Sequence, residues 1–221
     1  MTTVTGSQAP AGGQYTPTVT GPAATAEVTL VGDPAPLGLA AFGITTLVLS
    51  TINAGWIAQG AVPVVLALAV PFGGGAQLLA GMWAFRRGNT FAATAFSSFG
   101  AFWISFWLLN AVFVTQVKPA SALLPIIGTY LLAWGIFTAY MFLASLAGAK
   151  AVTSVFLFLT LTFFALAIGW YGGPVTDIVA NKSTWIMIGG YLGLVTAVLA
   201  LYTSFADVTN ANFKRKILPT F

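Results

Sequence analysis

The chain reads as long apolar runs broken by isolated charges. Between Asp33 and Arg86 lie 52 residues without a charge. Four shorter runs follow: 30 residues over 88–117, 31 over 119–149, 26 over 151–176 and 24 over 183–206. A charge at the centre of a bilayer costs at least ~2.5–3.5 kcal/mol, and a spanning helix needs about 20 apolar residues. The first run has room for two helices and each of the others for one. The pattern predicts six transmembrane helices, over about 37–57, 63–85, 91–113, 122–145, 151–171 and 185–205. Strands of a membrane barrel would alternate polar and apolar positions. Val155–Phe164 is instead apolar on every side apart from Thr160 and Thr162. The predicted fold class is an all-α membrane protein, a six-helix bundle.

Composition narrows the function. Only 5% of the 221 residues are charged and 58% are hydrophobic, against roughly 25% charged in a soluble domain. Such a chain could not cover a water-facing surface. There is no cysteine and no histidine, so thiolate or imidazole chemistry and a nitrogen or sulfur metal site are excluded. No predicted span holds Asp, Glu, Lys or Arg, so no paired carboxylates serve acid–base work. Gly73-Gly74-Gly75 has no adjacent lysine and is not a phosphate loop. No enzyme activity, cofactor or metal is expected; transport, channel or structural roles remain.

The basic residues predict the orientation. Arg86, Arg87, Lys150, Lys214, Arg215 and Lys216 fall at one end of the bundle, and only Lys118 and Lys182 at the other. The positive-inside bias then puts both termini in the cytoplasm. Basic residues dispersed over helix ends are not a nucleic-acid patch. Residues 1–32 are rich in Thr, Gly, Pro and Ala and are expected to be a flexible tail, with no basic leader segment. The expected organisation is this tail, a membrane domain over 33–206 and a short basic tail over 207–221.

Polar residues within the spans are few, and in lipid they must face protein or a wet path. Ser and Thr can bond back to their own helix; Asn53 and Gln77 are left to choose between interhelical hydrogen bonds and a pore wall. On the first helix Phe42, Thr45, Thr46, Leu49 and Asn53 share one face. Asp33-Pro34-Ala35-Pro36 is a favourable helix start. It reads either as a cap or as a stiff pore mouth facing an anion. Two rows of small residues, Gly189/Gly193/Ala197 and Ser97/Ala101/Ser105, suggest close packing. The aromatics of the third helix, Phe96, Phe99, Phe102, Trp103, Phe106 and Trp107, are expected mostly at lipid or interface contacts.

These motifs together resemble the acetate uptake transporter family, also called the succinate–acetate permease family. Asp33-Pro-Ala-Pro-Leu-Gly-Leu is similar to its Asn-Pro-Ala-Pro-Leu-Gly-Leu signature. Gly74-Gly75-Ala76-Gln77, Gly88-Asn89-Thr90-Phe91, Gly100-Ala101-Phe102-Trp103, Trp134-Gly135-Ile136-Phe137-Thr138 and Phe164-Ala165-Leu166-Ala167-Ile168-Gly169 follow in the family's order. The resemblance runs over about residues 33–205. It implies a small inner-membrane protein that moves acetate and other short carboxylates, assembled as a homohexamer with a pore through each protomer. It also implies a Phe–Leu–Tyr constriction, carried here onto Phe42, Leu159 and Phe99. The third position has lost its hydroxyl. The signature Asn is Asp33, and a Glu frequent before Gly-Asn-Thr-Phe is Ala84.

The expectation is a membrane permease or channel for acetate, and for succinate or propionate, through a hydrophobic constriction. Phe42, Phe99 and Leu159 form that constriction; Thr45, Thr46, Asn53 and Gln77 line the pore; Asp33, Pro34 and Pro36 stand at its mouth. The alternative is a channel for a small neutral solute such as urea or an amide.

Overall fold

The computed structural model describes residues 31–172 and 183–220. Most of the expected N-terminal tail, and Lys182, lie outside the described residues. Among the described residues there is no strand, and six helices are long and apolar enough to span a membrane: α1 (Ala35–Asn53), α2 (Gln59–Arg86), α3 (Thr90–Gln116), α4 (Ala120–Ser145), α5 (Lys150–Tyr171) and α6 (Thr184–Phe213).

Each helix begins and ends for local reasons. Just ahead of α1 the Oδ1 of Asp33 accepts the Ala35 N–H at 3.0 Å, which satisfies one of the free donors of the first turn. At α3 the Asn89 Oδ1 accepts the Ala92 N–H at 3.0 Å. Gly88, at φ +73°, makes the tight turn out of α2. α6 runs through Phe213 before Lys214 ends it in the left-handed conformation, so the expected boundary at 206 falls inside the helix. Asn210 then grips the returning chain. Its Nδ2 donates to the Leu218 carbonyl at 2.8 Å, and its Oδ1 accepts from the Leu218 N–H at 2.9 Å.

Two helices are not regular. α2 widens to a π-helix over Ala69–Ala76, around Pro71, whose missing N–H and ring do not fit an ordinary helical turn. α3 does the same over Leu109–Phe113. The π segment of α3 lines the cavity described below through Leu109 and Asn110, and that of α2 packs through Gly73 against Thr45 and Trp103.

Packing follows the small residues. α1 lies along α6, α6 along α5, α5 along α4, and α2 along α3, with α2 also against α1. A Cβ on Gly190 would stand 2.1 Å from the Ala54 nitrogen, so α6 and the end of α1 touch backbone to backbone. Gly100 also brings α3 close to α2: its Cβ would be 2.8 Å from the Leu78 nitrogen. The row Gly189/Gly193/Ala197 is such a contact, since Gly189 abuts Leu166, Gly193 abuts Ser50, and Ala197 is fully buried. Ser97/Ala101/Ser105 is not one contact: Ser97 meets Gly81 of α2, Ala101 is exposed and Ser105 reaches Tyr130 of α4.

The aromatics of α3 correct the expectation of lipid and interface contacts. Phe96, Phe99, Phe102 and Trp103 are all buried. They fill the interior because α4 and α5 supply complementary rings. Phe102 meets Trp134 at 5.1 Å and Phe163 at 5.4 Å between centroids, both edge-on, the geometry ring quadrupoles favour.

Candidate functional site

A cavity of about 310 Å³ opens between α1, α3, α4 and α5, with the start of α2 at its rim. That volume is at the small end of ligand sites. Its walls run from Phe42 to Asn53 on α1, from Phe102 to Val114 on α3, from Ile127 to Leu131 on α4 and from Leu159 to Trp170 on α5. These are the stretches away from Arg86, Arg87, Lys150 and Lys214. The cavity is therefore a vestibule entered from the end opposite the basic residues, and Phe42, Leu159 and Phe102 stand at its deep end.

Deeper still the bundle is closed by rings. Phe99 packs on Phe42 at 5.8 Å, on Phe137 at 5.4 Å, on Trp134 at 6.0 Å and on Phe156 at 6.1 Å between centroids. Of the three residues expected at the constriction, Phe42 and Leu159 line the vestibule, and Phe99 lies off its lining, in contact with Phe42. All three are at most 5% exposed. A plug of this kind offers water no hydrogen bond, the property on which hydrophobic constrictions rely.

The polar lining is neutral. Thr46, Ser50, Asn53, Gln59, Asn110 and Tyr130 contribute, with Thr162, and among the described residues no Asp, Glu, Lys or Arg lines it. Asn110 sits in the π segment of α3, its Nδ2 donating to the Phe106 carbonyl at 2.8 Å. Tyr130 and Ser105 share a hydroxyl–hydroxyl hydrogen bond at 2.7 Å. A carboxylate costs far too much to bury without hydrogen-bond donors. A path lined by hydroxyls and amides supplies donors without the tight ion pair that would hold the solute in place.

Two of the expected lining residues are elsewhere. Thr45 is turned toward α2, where it packs against Gly73, and it donates to the Ala41 carbonyl at 2.9 Å. At about 100° per residue it sits some 60° from Phe42 on one side, while Thr46 lies about 40° on the other. The face that lines the cavity is Phe42, Thr46, Leu49, Ser50 and Asn53. Gln77 is 1% exposed and lies on no vestibule wall. The expected mouth is also divided. Asp33 and Pro36 line a second recess with Ser204 and Asp207 of α6, whereas Pro34 is buried and not among its lining residues. That recess is walled by α1 and α6 alone and takes nothing from α3 or α5.

Sequence reasoning missed Trp103, Tyr130 and Trp170 as cavity residues. Aromatic positions within an apolar helix carry the same signature whether they face core, lipid or a cavity. Asn110 also lines the cavity without having been among the expected lining residues; its polarity inside a span does not separate it from Gln77, which lies off the wall.

Six helices long and apolar enough to span a membrane, with a vestibule whose described lining is uncharged, define a multi-pass membrane protein built around a path for a small solute. The chain belongs to the GPR1/FUN34/yaaH family, whose pattern it matches over residues 12–220. It is 37% identical over 194 residues to the succinate-acetate/proton symporter SatP of Escherichia coli K12, covering 86% of this chain and 96% of that one. It is 36% identical over 218 residues to acetate permease A of Emericella nidulans, covering 95% and 72% respectively. The solved structure of the bacterial acetate channel SatP superposes with a TM-score of 0.72 at 34% identity, covering 87% of this chain and 100% of that chain.

Proposed function

We propose that this protein carries acetate and other short monocarboxylates across the membrane, entering the vestibule and passing the Phe42–Leu159–Phe99 plug. The observation that carries the proposal is the vestibule itself. It is about 310 Å³, lined by neutral donors, and ends on apolar rings. Relatives named as acetate permease and succinate-acetate/proton symporter support the choice of solute. Acetate has four heavy atoms and fits with room for water, given ~30 Å³ per liquid water. Neutral hydroxyls and amides can receive its charge in turn and release it. The chain has neither histidine nor cysteine, which supports transport in place of chemistry.

The same proposal places the protein in the inner (plasma) membrane with both termini cytoplasmic, because six of the eight basic residues lie at that end. The vestibule then faces outward. It also takes the protein to be a homohexamer. The outer surface is apolar, with Leu143, Val198 and Phe205 each at least 60% exposed, and lipid or a second copy can cover it.

An uncharged lining would also serve urea or an amide. The test is radiolabelled uptake in proteoliposomes, acetate against urea. Saturable acetate uptake with urea at the level of empty vesicles supports the proposal; the reverse order defeats it.

A further inference from the structure

We propose that the deep end of the vestibule is a seat for one carboxylate, and that its donors are the indole N–H of Trp103 and the hydroxyl of Thr46. The inference rests on the reading that carboxylates travel through this vestibule, and it names the groups that select them.

Buried polar atoms in a membrane interior find partners because nothing else there can satisfy them. The buried threonines obey this. Thr45, Thr138, Thr160, Thr162, Thr196 and Thr203 each donate to the carbonyl four residues earlier, at 2.7–2.9 Å. Thr46, 6% exposed, does not: its Oγ1 has no partner among the described residues. The Nε1 of Trp103, whose side chain is 2% exposed, has none either. Gln77 and Ser97 each hold one further unpartnered atom, but neither lines the vestibule; Thr46 and Trp103 both do.

Trp103 comes from α3 and Thr46 from α1, and both line the vestibule. Gly73 of α2 seats the indole against Thr45: a Cβ there would stand 2.9 Å from Trp103 Cγ and 2.7 Å from Thr45 Oγ1. Phe102 and Phe106 clamp the indole edge-on at 5.2 Å and 5.8 Å, so its N–H has a fixed direction. Both groups can donate, and neither carries charge. A hydrogen bond to an ionised oxygen is roughly twice as strong as a neutral one, so the pair favours the anion over its amide. The surrounding Phe42, Leu159 and Phe163 suit a short alkyl tail and leave a second carboxylate without donors at this depth. Both polar atoms are themselves shielded from water. A carboxylate engages them by displacing the side chains above, the movement that opening the floor also requires.

The test is acetate uptake by wild type, by Thr46→Val, and by protein in which the Trp103 indole is replaced with benzothiophene, which keeps the shape and removes the N–H. Trp103→Phe is a simpler companion that the cavity it leaves could destabilise. Losing one hydrogen bond to a charged group is expected to raise the acetate KM about ten-fold or more, with maximal rate and melting behaviour little changed. An acetate KM within two-fold of wild type in both Thr46→Val and the benzothiophene protein overturns the seat while leaving the carboxylate path intact. Absence of saturable acetate uptake in the wild type overturns the path and the seat together.

Discussion

Leu159→Ala is the perturbation that bears most directly on the plug. Leu159 is 4% exposed, on the α5 wall at the deep end of the vestibule. Truncation removes about three carbon groups, worth ~0.8 kcal/mol each in transfer from water, or about 2.4 kcal/mol. In a closed core a cavity penalty would add to this and bring the loss to ~2–5 kcal/mol. Here the space already opens on a cavity of about 310 Å³, so the loss of stability should stay near the lower figure. The same carbons are part of what keeps a hydrated solute from crossing. If about half of that energy reappears as a lower barrier, flux rises roughly eight-fold. The assay is initial uptake of acetate, propionate and succinate into proteoliposomes, with thermal unfolding alongside. Acetate flux should rise several-fold, and the succinate-to-acetate ratio should rise with it as the opening widens. Unchanged flux and an unchanged ratio, with folded protein, would refute the placement of Leu159 on the path.

Three further outcomes are expected. Phe99→Tyr adds a phenol among Phe42, Trp134, Phe137 and Phe156, where an unpaired hydroxyl costs about 1–3 kcal/mol; a lower melting temperature together with a lower acetate KM is expected, and a change in neither would mean the ring is remote from the solute. Gly73→Ala drives a methyl to 2.7 Å from Thr45 Oγ1 and 2.9 Å from Trp103 Cγ, so about 1–3 kcal/mol of overpacking strain and reduced uptake are expected, read by thermal unfolding and flux; a neutral result would show that α2 yields freely there. Asp33→Asn keeps an Oδ1 acceptor for the Ala35 N–H and should leave uptake and its pH profile unchanged, since among the described residues no wall of the vestibule carries a carboxylate; a shifted pH midpoint would assign Asp33 a role in coupling.

The number of helices and most of their ends were legible because each charge-free run is long enough for a span and little more. The exception is α6, which continues to Phe213. Asp207 looked like its end, yet this carboxylate lines the recess beside α1, where a helix can carry it beyond the apolar stretch. The face of α1 was legible from helical spacing, except that a five-residue stripe cannot say which edge turns to a neighbour. Thr45 turned to Gly73 and Ser50 took its place on the wall. Gln77 and Thr46 look alike in sequence as polar residues within spans, and only the packing of α2 against α1 and α3 separates the interior position from the lining one. The π segments were not legible, because a local change of helical period leaves the apolar pattern intact.

The most direct test of the path uses the absence of native cysteine. Leu49 lines the vestibule midway between Phe42 and Asn53, and Leu49→Cys gives a single thiol there. The measurement is acetate uptake by reconstituted Leu49→Cys protein before and after complete reaction with a bulky, impermeant thiol reagent, with acetate present or absent during labelling. A solute path through this vestibule predicts that labelling abolishes uptake and that acetate slows the labelling. Undiminished acetate uptake after stoichiometric modification of Leu49→Cys would contradict it.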